Sequence, residues 1–161
     1  NFNFKDINGE LISLNDEQFK NKVVVVQILG TWCPNCLDET QFFLSYIEEN
    51  PNQDLAFVGL SVEAAKTEER AMKRISNMID KFEIPYPILL AQYGSTDKEK
   101  FLEKIPMLEN IISYPTTIII DKSGKVNSIH TGFNGPATGQ AFIDYKIEFE
   151  SEIKGLLELI K

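Results

Sequence analysis

The chain has 161 residues, of which 43% are hydrophobic and 25% are charged, so it is long enough and apolar enough to bury a core. Its formal net charge of −8 at pH 7 disfavours a general role in binding nucleic acid or an anionic membrane, because both would repel it. No apolar run approaches the roughly 20 residues that cross a bilayer. We predict one domain over residues 1–161.

The N-terminal residues carry neither an initiator methionine nor a basic region followed by an apolar one, which is the pattern of a signal peptide. We therefore expect a mature or trimmed segment from which a targeting sequence was removed. The removed part is also a candidate membrane tether.

The first predicted elements are a hairpin, a buried strand and a helix. Apolar residues on both sides of the Asn8-Gly9 turn predict an N-terminal β-hairpin over residues 1–14. The apolar run of residues 23–29, interrupted only by Gln27, predicts a central strand buried on both faces. Apolar residues at helical spacing after Pro34 predict a helix that begins there and ends before Pro51.

The remaining elements alternate between strands and helices. In chain order they are a strand over 55–62, a helix over 71–82, a short strand over 87–91, a short helix over 96–104 capped by Thr96, strands over 116–120 and 125–131, and a closing helix over 142–160. This order predicts an α/β fold with a central mixed sheet flanked by helices. Residues of about 64–110 form an insertion region. We expect the charged stretch 63–74 on the solvated face of a helix.

The two cysteines, Cys33 and Cys36, lie three positions apart. Closing so short a loop would stabilise the fold little, which disfavours a structural disulfide. A structural zinc site needs about four ligands, and His130 is the only histidine. Half of a zinc site and an incidental cysteine pair remain as alternatives. The small number of cysteines and histidines nevertheless favours redox chemistry for the pair.

The predicted position of the cysteines suits thiol–disulfide exchange. Cys33 lies between a buried strand and a helix start, where unpaired N–H groups and the helix dipole stabilise a thiolate. Cys36 lies one turn later, within reach of the first sulfur. Pro34 stiffens the turn, and Trp32 can cover the site and contact a bound partner.

A second motif precedes the strand at 116–120. The Tyr114-Pro115 bond is a candidate cis peptide, which is uncommon and specified by structure where it occurs. The alternative is an ordinary trans proline that opens a strand.

The run from Gly30 to Cys36 (Gly-Thr-Trp-Cys-Pro-Asn-Cys), followed by Tyr114-Pro115-Thr116, resembles the thioredoxin superfamily. The hairpin, the Gly-Thr-Trp sequence and Glu39 resemble its TlpA/ResA-type branch of extracytoplasmic thiol–disulfide oxidoreductases, which are related to AhpC/TSA proteins. The likeness covers nearly the whole chain and implies a thioredoxin fold with a helical insertion.

The resemblance implies a role for each site residue. Cys33 would be the exposed attacking thiol and Cys36 the resolving thiol. Pro115, as the cis proline beside the sulfurs, and Tyr114 would bind the substrate with Trp32 and Pro34. Glu39 would tune the thiols or shuttle a proton; the alternative is a solvated carboxylate favoured by the helix dipole.

Three positions depart from the family pattern. Gln27 stands where ordinary thioredoxins carry a buried aspartate, so Glu39 is a candidate substitute. The dipeptide Pro34-Asn35 lacks the proline that this branch more often has directly before the second cysteine. Tyr114 stands where thioredoxins usually have a smaller β-branched residue. These positions leave the direction of electron transfer open, and the branch favours a reductant.

The expected function is an extracytoplasmic, periplasmic disulfide reductase that acts on disulfide- or thiol-containing proteins and is re-reduced by a membrane thiol donor. No metal, flavin, nucleotide or other cofactor is expected, because the dithiol is the redox group. Two alternatives remain. One is a peroxiredoxin-like thiol peroxidase, although no proline lies just upstream of Thr31. The other is a non-catalytic thioredoxin-fold binding module.

Overall fold

The computed structural model describes residues 2–105 and 113–159. The strands are β1 (Asn3–Lys5), β2 (Leu11–Ser13), β3 (Val23–Leu29), β4 (Leu55–Val62), β5 (Ile88–Gln92), β6 (Thr116–Ile120) and β7 (Val126–Thr131). The helices are α1 (Pro34–Glu49), α2 (Glu68–Phe82), α3 (Lys98–Leu102) and α4 (Gln140–Glu158). Within these ranges no helix is both long and apolar enough to cross a bilayer.

The strands form one mixed sheet in the order β2-β1-β5-β4-β3-β6-β7. Strands β3, β4 and β5 run parallel, and the other pairings are antiparallel. The predicted hairpin is confirmed by the pairing of β1 with β2. Strand β3 lies between β4 and β6 with every residue buried, which is why its sequence is almost uninterrupted valine, isoleucine and leucine.

Alternate side chains of β3 belong to cores on opposite faces of the sheet. Val24, Val26 and Ile28 pack in a cluster with α3 and the N-terminal segment. Val23 and Val25 pack against α1 and α4. Leu29 lies in a third cluster, with both cysteines and the apolar face of α2. The turn that contains Cys33, which we call the cysteine turn, therefore directly follows the buried end of β3.

The region around residues 64–110 differs from a purely helical insertion. Strand β5 lies inside the sheet, parallel to β4, between α2 and α3. Helix α3 is shorter than predicted and is capped by Asp97 instead of Thr96, because the Asp97 carboxylate accepts a hydrogen bond from the backbone N–H of Glu99 at 2.9 Å. Residues 106–110 of this region, and Ile160 of the predicted closing helix, lie outside the described residues.

Candidate active site

The turn between β3 and α1 brings the first cysteine to the start of the helix. Cys33 is the N-cap of α1, and Pro34 is its first residue, where a missing N–H leaves no hydrogen bond unmade. The backbone N–H of Cys33 donates to the carbonyl of Gly30 at 3.1 Å. A Cβ atom at Gly30 would lie 2.2 Å from Nε1 of Trp32, so the observed orientation of the Trp32 ring requires a glycine there.

Both cysteines are free thiols, and they lie within one turn of helix. The sulfur of Cys33 accepts a hydrogen bond from the backbone N–H of Cys36 at 3.2 Å. Cys36 is 0% exposed, and Cys33 is only 6% exposed. The expectation of an exposed Cys33 is therefore wrong for this structure, because the Tyr114 segment lies against its sulfur, but Cys33 is still the more accessible thiol.

The Tyr114-Pro115 motif lies beside the cysteine turn, as the resemblance implies, and its peptide bond is cis. The carbonyl oxygen of Tyr114 lies 3.9 Å from the sulfur of Cys33. The Tyr114 ring meets the ring of Trp32 edge-on, with centroids 5.4 Å apart. The two motifs, 81 positions apart in sequence, thus form one surface.

Trp32 is anchored and also accessible to a partner. Its indole N–H donates to the carbonyl of Val62 at 2.9 Å, which ties the ring to the end of β4. The side chain nevertheless remains 41% exposed. An aromatic surface held in one orientation loses little conformational entropy when a partner binds to it.

Glu39 is fully buried at the centre of a polar cluster behind Cys36. One carboxylate oxygen accepts hydrogen bonds from Nε2 of Gln27 at 3.0 Å and from the hydroxyl of Thr117 at 2.9 Å. The other oxygen accepts one from the hydroxyl of Tyr145 at 3.1 Å. The helix, the sheet and α4 therefore meet at this carboxylate, which is not the solvated side chain of the alternative interpretation.

Gln27 joins this cluster to the cysteine turn. Its Nε2 also donates to the carbonyl of Cys36 at 3.1 Å, and its Oε1 accepts from the hydroxyl of Thr40 at 3.0 Å. A neutral amide thus occupies the position where ordinary thioredoxins carry an acid. The acid of this polar cluster is Glu39, which comes from α1.

Burial raises the pKa values of Glu39, Cys36 and Tyr145. Burial raises the pKa of Glu39 to about 7, although the hydrogen bonds from Thr117, Tyr145 and Gln27 act in the opposite direction. Burial also raises the pKa of the Cys36 thiol, and its neighbours Cys33 and Glu39 add to this rise. Cys36 is therefore held as a thiol until its surroundings change.

Glu63 is a fully buried carboxylate that the sequence analysis placed on a solvated helix face, and that prediction is wrong. It accepts hydrogen bonds from the backbone N–H of Thr31 at 2.9 Å and from the hydroxyls of Thr31 and Ser61. Glu63 therefore fixes the turn that leads into Trp32 and Cys33. The sequence does contain a signal, because Glu63 directly follows β4, parallel to the strand that Thr31 follows.

Asn35, between the cysteines, also makes a contact that the sequence did not indicate. Its Nδ2 donates to the backbone carbonyl of Phe133 at 3.0 Å, in the loop after β7. The departure from the family pattern at this position therefore ties the start of α1 to a third segment of the chain.

A mixed sheet of this topology, with a Cys-x-x-Cys pair at the start of α1 beside a cis proline, defines the class of thioredoxin-like thiol–disulfide oxidoreductases. The family model described as Redoxin matches residues 1–142, and the chain belongs to this family.

Known proteins of the same class resemble the chain in sequence. It is 30% identical over 131 residues to the thioredoxin-like protein YneN of Bacillus subtilis, covering 81% of this chain and 68% of YneN. It is 26% identical over 132 residues to the thiol-disulfide oxidoreductase ResA of the same organism, covering 82% of this chain and 64% of ResA. The chain thus spans about two thirds of the length of these relatives.

A solved structure confirms the thioredoxin-like fold. A thiol-disulfide isomerase from Corynebacterium glutamicum superimposes with a TM-score of 0.70, covering 99% of this chain and 96% of that one. The sequence identity is 18%, so this likeness concerns the fold alone.

Proposed function

We propose that the protein reduces disulfide bonds in partner proteins with the dithiol of Cys33 and Cys36. One observation carries the proposal: the sulfur of Cys33 caps α1 and accepts the backbone N–H of Cys36. The sulfur at the start of the helix, with a backbone donor aimed at it, is positioned to act as the nucleophile that attacks a partner disulfide.

The reaction conserves electrons and protons in two exchange steps. The Cys33 thiolate attacks one sulfur of the partner disulfide, a mixed disulfide forms, and the other partner sulfur leaves as a thiolate that takes up a proton. Cys36 then loses its proton and attacks the sulfur of Cys33. The second partner sulfur leaves, the Cys33–Cys36 disulfide forms, and two electrons have passed to the partner.

Glu39 is the proposed acceptor for the proton that Cys36 must lose. Its carboxylate is buried one turn after Cys36, and Gln27 donates hydrogen bonds to both residues. A carboxyl with a pKa of about 7 exchanges protons readily near neutral pH. Replacement by glutamine should therefore slow the second step more than the first.

The proposed substrate surface is formed by Trp32, Pro34 and Tyr114, and the cis bond to the buried Pro115 supports it from below. Trp32 and Pro34 are exposed next to Cys33 in the chain, and the Tyr114 carbonyl oxygen lies 3.9 Å from the Cys33 sulfur. An extended segment of the partner would pack on these rings and bring its disulfide to Cys33.

The cellular setting of this reaction is also a proposal. The relatives named thiol-disulfide oxidoreductase, together with the sequence pattern, support an extracytoplasmic site of action, and the periplasm is the proposed compartment. A membrane protein with a reactive thiol pair would restore the dithiol after each turnover. No metal or organic cofactor is needed for this cycle, and nucleic acid is not a proposed partner.

Insulin reduction by the reduced chain, with dithiothreitol as the electron donor, tests the activity. The wild type should precipitate the insulin B chain faster than dithiothreitol alone, and Cys33→Ser should lose this acceleration. A wild-type rate equal to the background would support the non-catalytic binding module instead. Steady consumption of hydrogen peroxide at a rate above that of insulin reduction would support the peroxidase.

Trapping with Cys36→Ser tests the order of the two thiols. This variant should accumulate a mixed disulfide through Cys33, because no resolving thiol is present. Cys33→Ser is the matched control and should trap little. Equal trapping by the two variants would contradict the assigned roles.

A further inference from the structure

A groove with a charge unlike that of the whole molecule lies beside the cysteine turn. Its volume is about 360 Å³, and it runs between the start of α1 and one face of α2. We call it the α2 groove; its apolar residues are Trp32, Leu37, Met78 and Phe82, and its cations are Arg74 and Lys81.

The charges of the α2 groove are all of one sign. Arg74 and Lys81 are exposed, and no carboxylate lines the groove in the described part of the chain. Across residues 2–105 and 113–159, neither cation forms an ion pair, although Lys81 lies 5.5 Å above the ring of Phe82. Glu63 contacts the lining residue Thr31, but it is fully buried and already accepts three hydrogen bonds.

This pattern is unexpected in a chain with a net charge of −8. A cation pair in a groove with apolar walls raises the local concentration of anionic groups, since the low-dielectric walls focus the field.

The groove is continuous with the thiol site. Trp32 lines it and directly precedes Cys33, and Met78 belongs to the apolar cluster that contains both cysteines. A polypeptide whose disulfide lies at Cys33 can therefore place its flanking residues in the groove. A methionine side chain adapts to varied apolar groups, so Met78 would let the groove accept more than one sequence.

We propose that the α2 groove binds an acidic segment of the partner protein, with Asp or Glu side chains on Arg74 and Lys81 and an apolar side chain between Trp32 and Met78. The inference rests on the proposed function, since it names the kind of sequence that flanks the partner's disulfide.

Two synthetic peptides with the same intramolecular disulfide test the proposal; they carry either Glu or Gln beside it. Rates of reduction are measured by stopped flow from the fluorescence of Trp32, which is the only tryptophan of the chain. The Glu peptide should react about tenfold faster at low salt, and the preference should shrink at high salt. If only the net charge of the protein mattered, the Gln peptide would react faster than the Glu peptide. A faster Gln peptide, or equal rates for the two peptides, would overturn the proposal.

The variant Arg74→Glu with Lys81→Glu should remove or invert the preference for the Glu peptide. Arg74→Gln with Lys81→Gln should remove it without adding a negative charge. The variant Lys73→Glu with Lys154→Glu, which changes the net charge as much as the first double variant but does not touch the groove, should retain a preference. Retention of the full preference by both groove variants would refute the assignment.

A binding measurement separates failure of this inference from failure of the proposed function. Cys33→Ser, which cannot exchange, is titrated with each peptide while Trp32 fluorescence is followed. If Cys33→Ser binds the Glu peptide in a salt-sensitive way but the wild type reduces neither peptide, the groove is a binding site and the proposed reductase activity is rejected. Reduction of both peptides by the wild type, with equal binding of the two peptides to Cys33→Ser, would keep the reductase and reject the groove as a binding site.

Discussion

Glu39 and Glu63 are both fully buried beside the cysteine turn, but they bind different kinds of donor. Within the described residues, the donors to Glu39 are all side chains, which come from β3, β6 and α4. Glu63 accepts a backbone N–H and two hydroxyls from the turn after β3 and from β4. The first carboxylate is suited to change its protonation, and the second is suited to hold a turn in place.

The difference shows that burial alone does not assign a role to a carboxylate. A carboxylate that accepts a backbone N–H keeps the turn in one conformation. Its removal should therefore change the conformation of the turn and lower the free energy of unfolding. A carboxylate with a pKa near neutrality changes state within the working range of the protein, so its removal should change a pH dependence. Three substitutions test this comparison.

Glu63→Ala should have the largest effect. It leaves the N–H of Thr31 and the hydroxyls of Thr31 and Ser61 without their acceptor in a buried site, which should lower the free energy of unfolding by about 4 kcal/mol. Urea unfolding measures this loss. Because the turn leads into Trp32, the fluorescence of Trp32 should also shift to longer wavelength in the folded variant.

The control for Glu63→Ala is Glu69→Ala, which removes an exposed carboxylate from α2. It should change the free energy of unfolding by less than about 0.5 kcal/mol and leave Trp32 emission unchanged. If Glu63→Ala behaves like this control, Glu63 does not hold the turn.

Glu39→Gln should remove a pH dependence of stability. Between the ordinary pKa of 4.5 and about 7, the folded protein keeps a proton on Glu39 that the unfolded chain has lost. Raising the pH through this window therefore lowers the stability of the wild type, by about 3 kcal/mol, and the loss persists above pH 7. The variant should lack this component.

Chemical unfolding across this pH range, with Glu48→Gln as the matched control on the exposed face of α1, measures the difference. The rate of resolution by Cys36 should also lose its dependence on a group with a pKa of about 7. A wild-type stability that rises between pH 4.5 and pH 7 relative to Glu39→Gln would contradict the assignment, as would unchanged thiol titration and exchange rate in the variant.

Tyr145→Phe should have the smallest effect and should act through Glu39. It removes one hydrogen bond to the carboxylate while leaving the ring in its aromatic cluster, so stability should fall by about 1 kcal/mol. The pKa of Glu39 should rise above about 7, because the lost bond favoured the ionised form. Carboxyl titration by infrared or NMR spectroscopy measures this rise.

Tyr46→Phe is the control for Tyr145→Phe, since it removes a hydroxyl from the same aromatic cluster without a contact to Glu39. It should leave the carboxyl titration unchanged. An unchanged or lower pKa of Glu39 in Tyr145→Phe would show that the hydroxyl does not stabilise the carboxylate.

Local sequence predicted most of the fold because its elements are marked by strong periodicity. The apolar run of β3 and the hairpin around Asn8-Gly9 need no information beyond neighbouring residues. The prediction of a cap at Thr96 is wrong, because Thr96 and Asp97 are both good capping residues and only the backbone geometry selects Asp97. The place of β5 inside the sheet likewise depends on pairing with β4, which a short strand does not specify.

Neighbouring residues are enough to predict the reactive group and its setting: a cysteine pair three positions apart, after a buried strand, at the start of a helix. The polar side chains that surround the pair become visible only in the folded chain. Gln27, Thr117 and Tyr145 lie far apart in the chain and look like ordinary members of a strand or helix, and Glu63 looks solvated. Their partners are fixed by the packing of separate elements, because each buried polar group must find a partner wherever the fold places one.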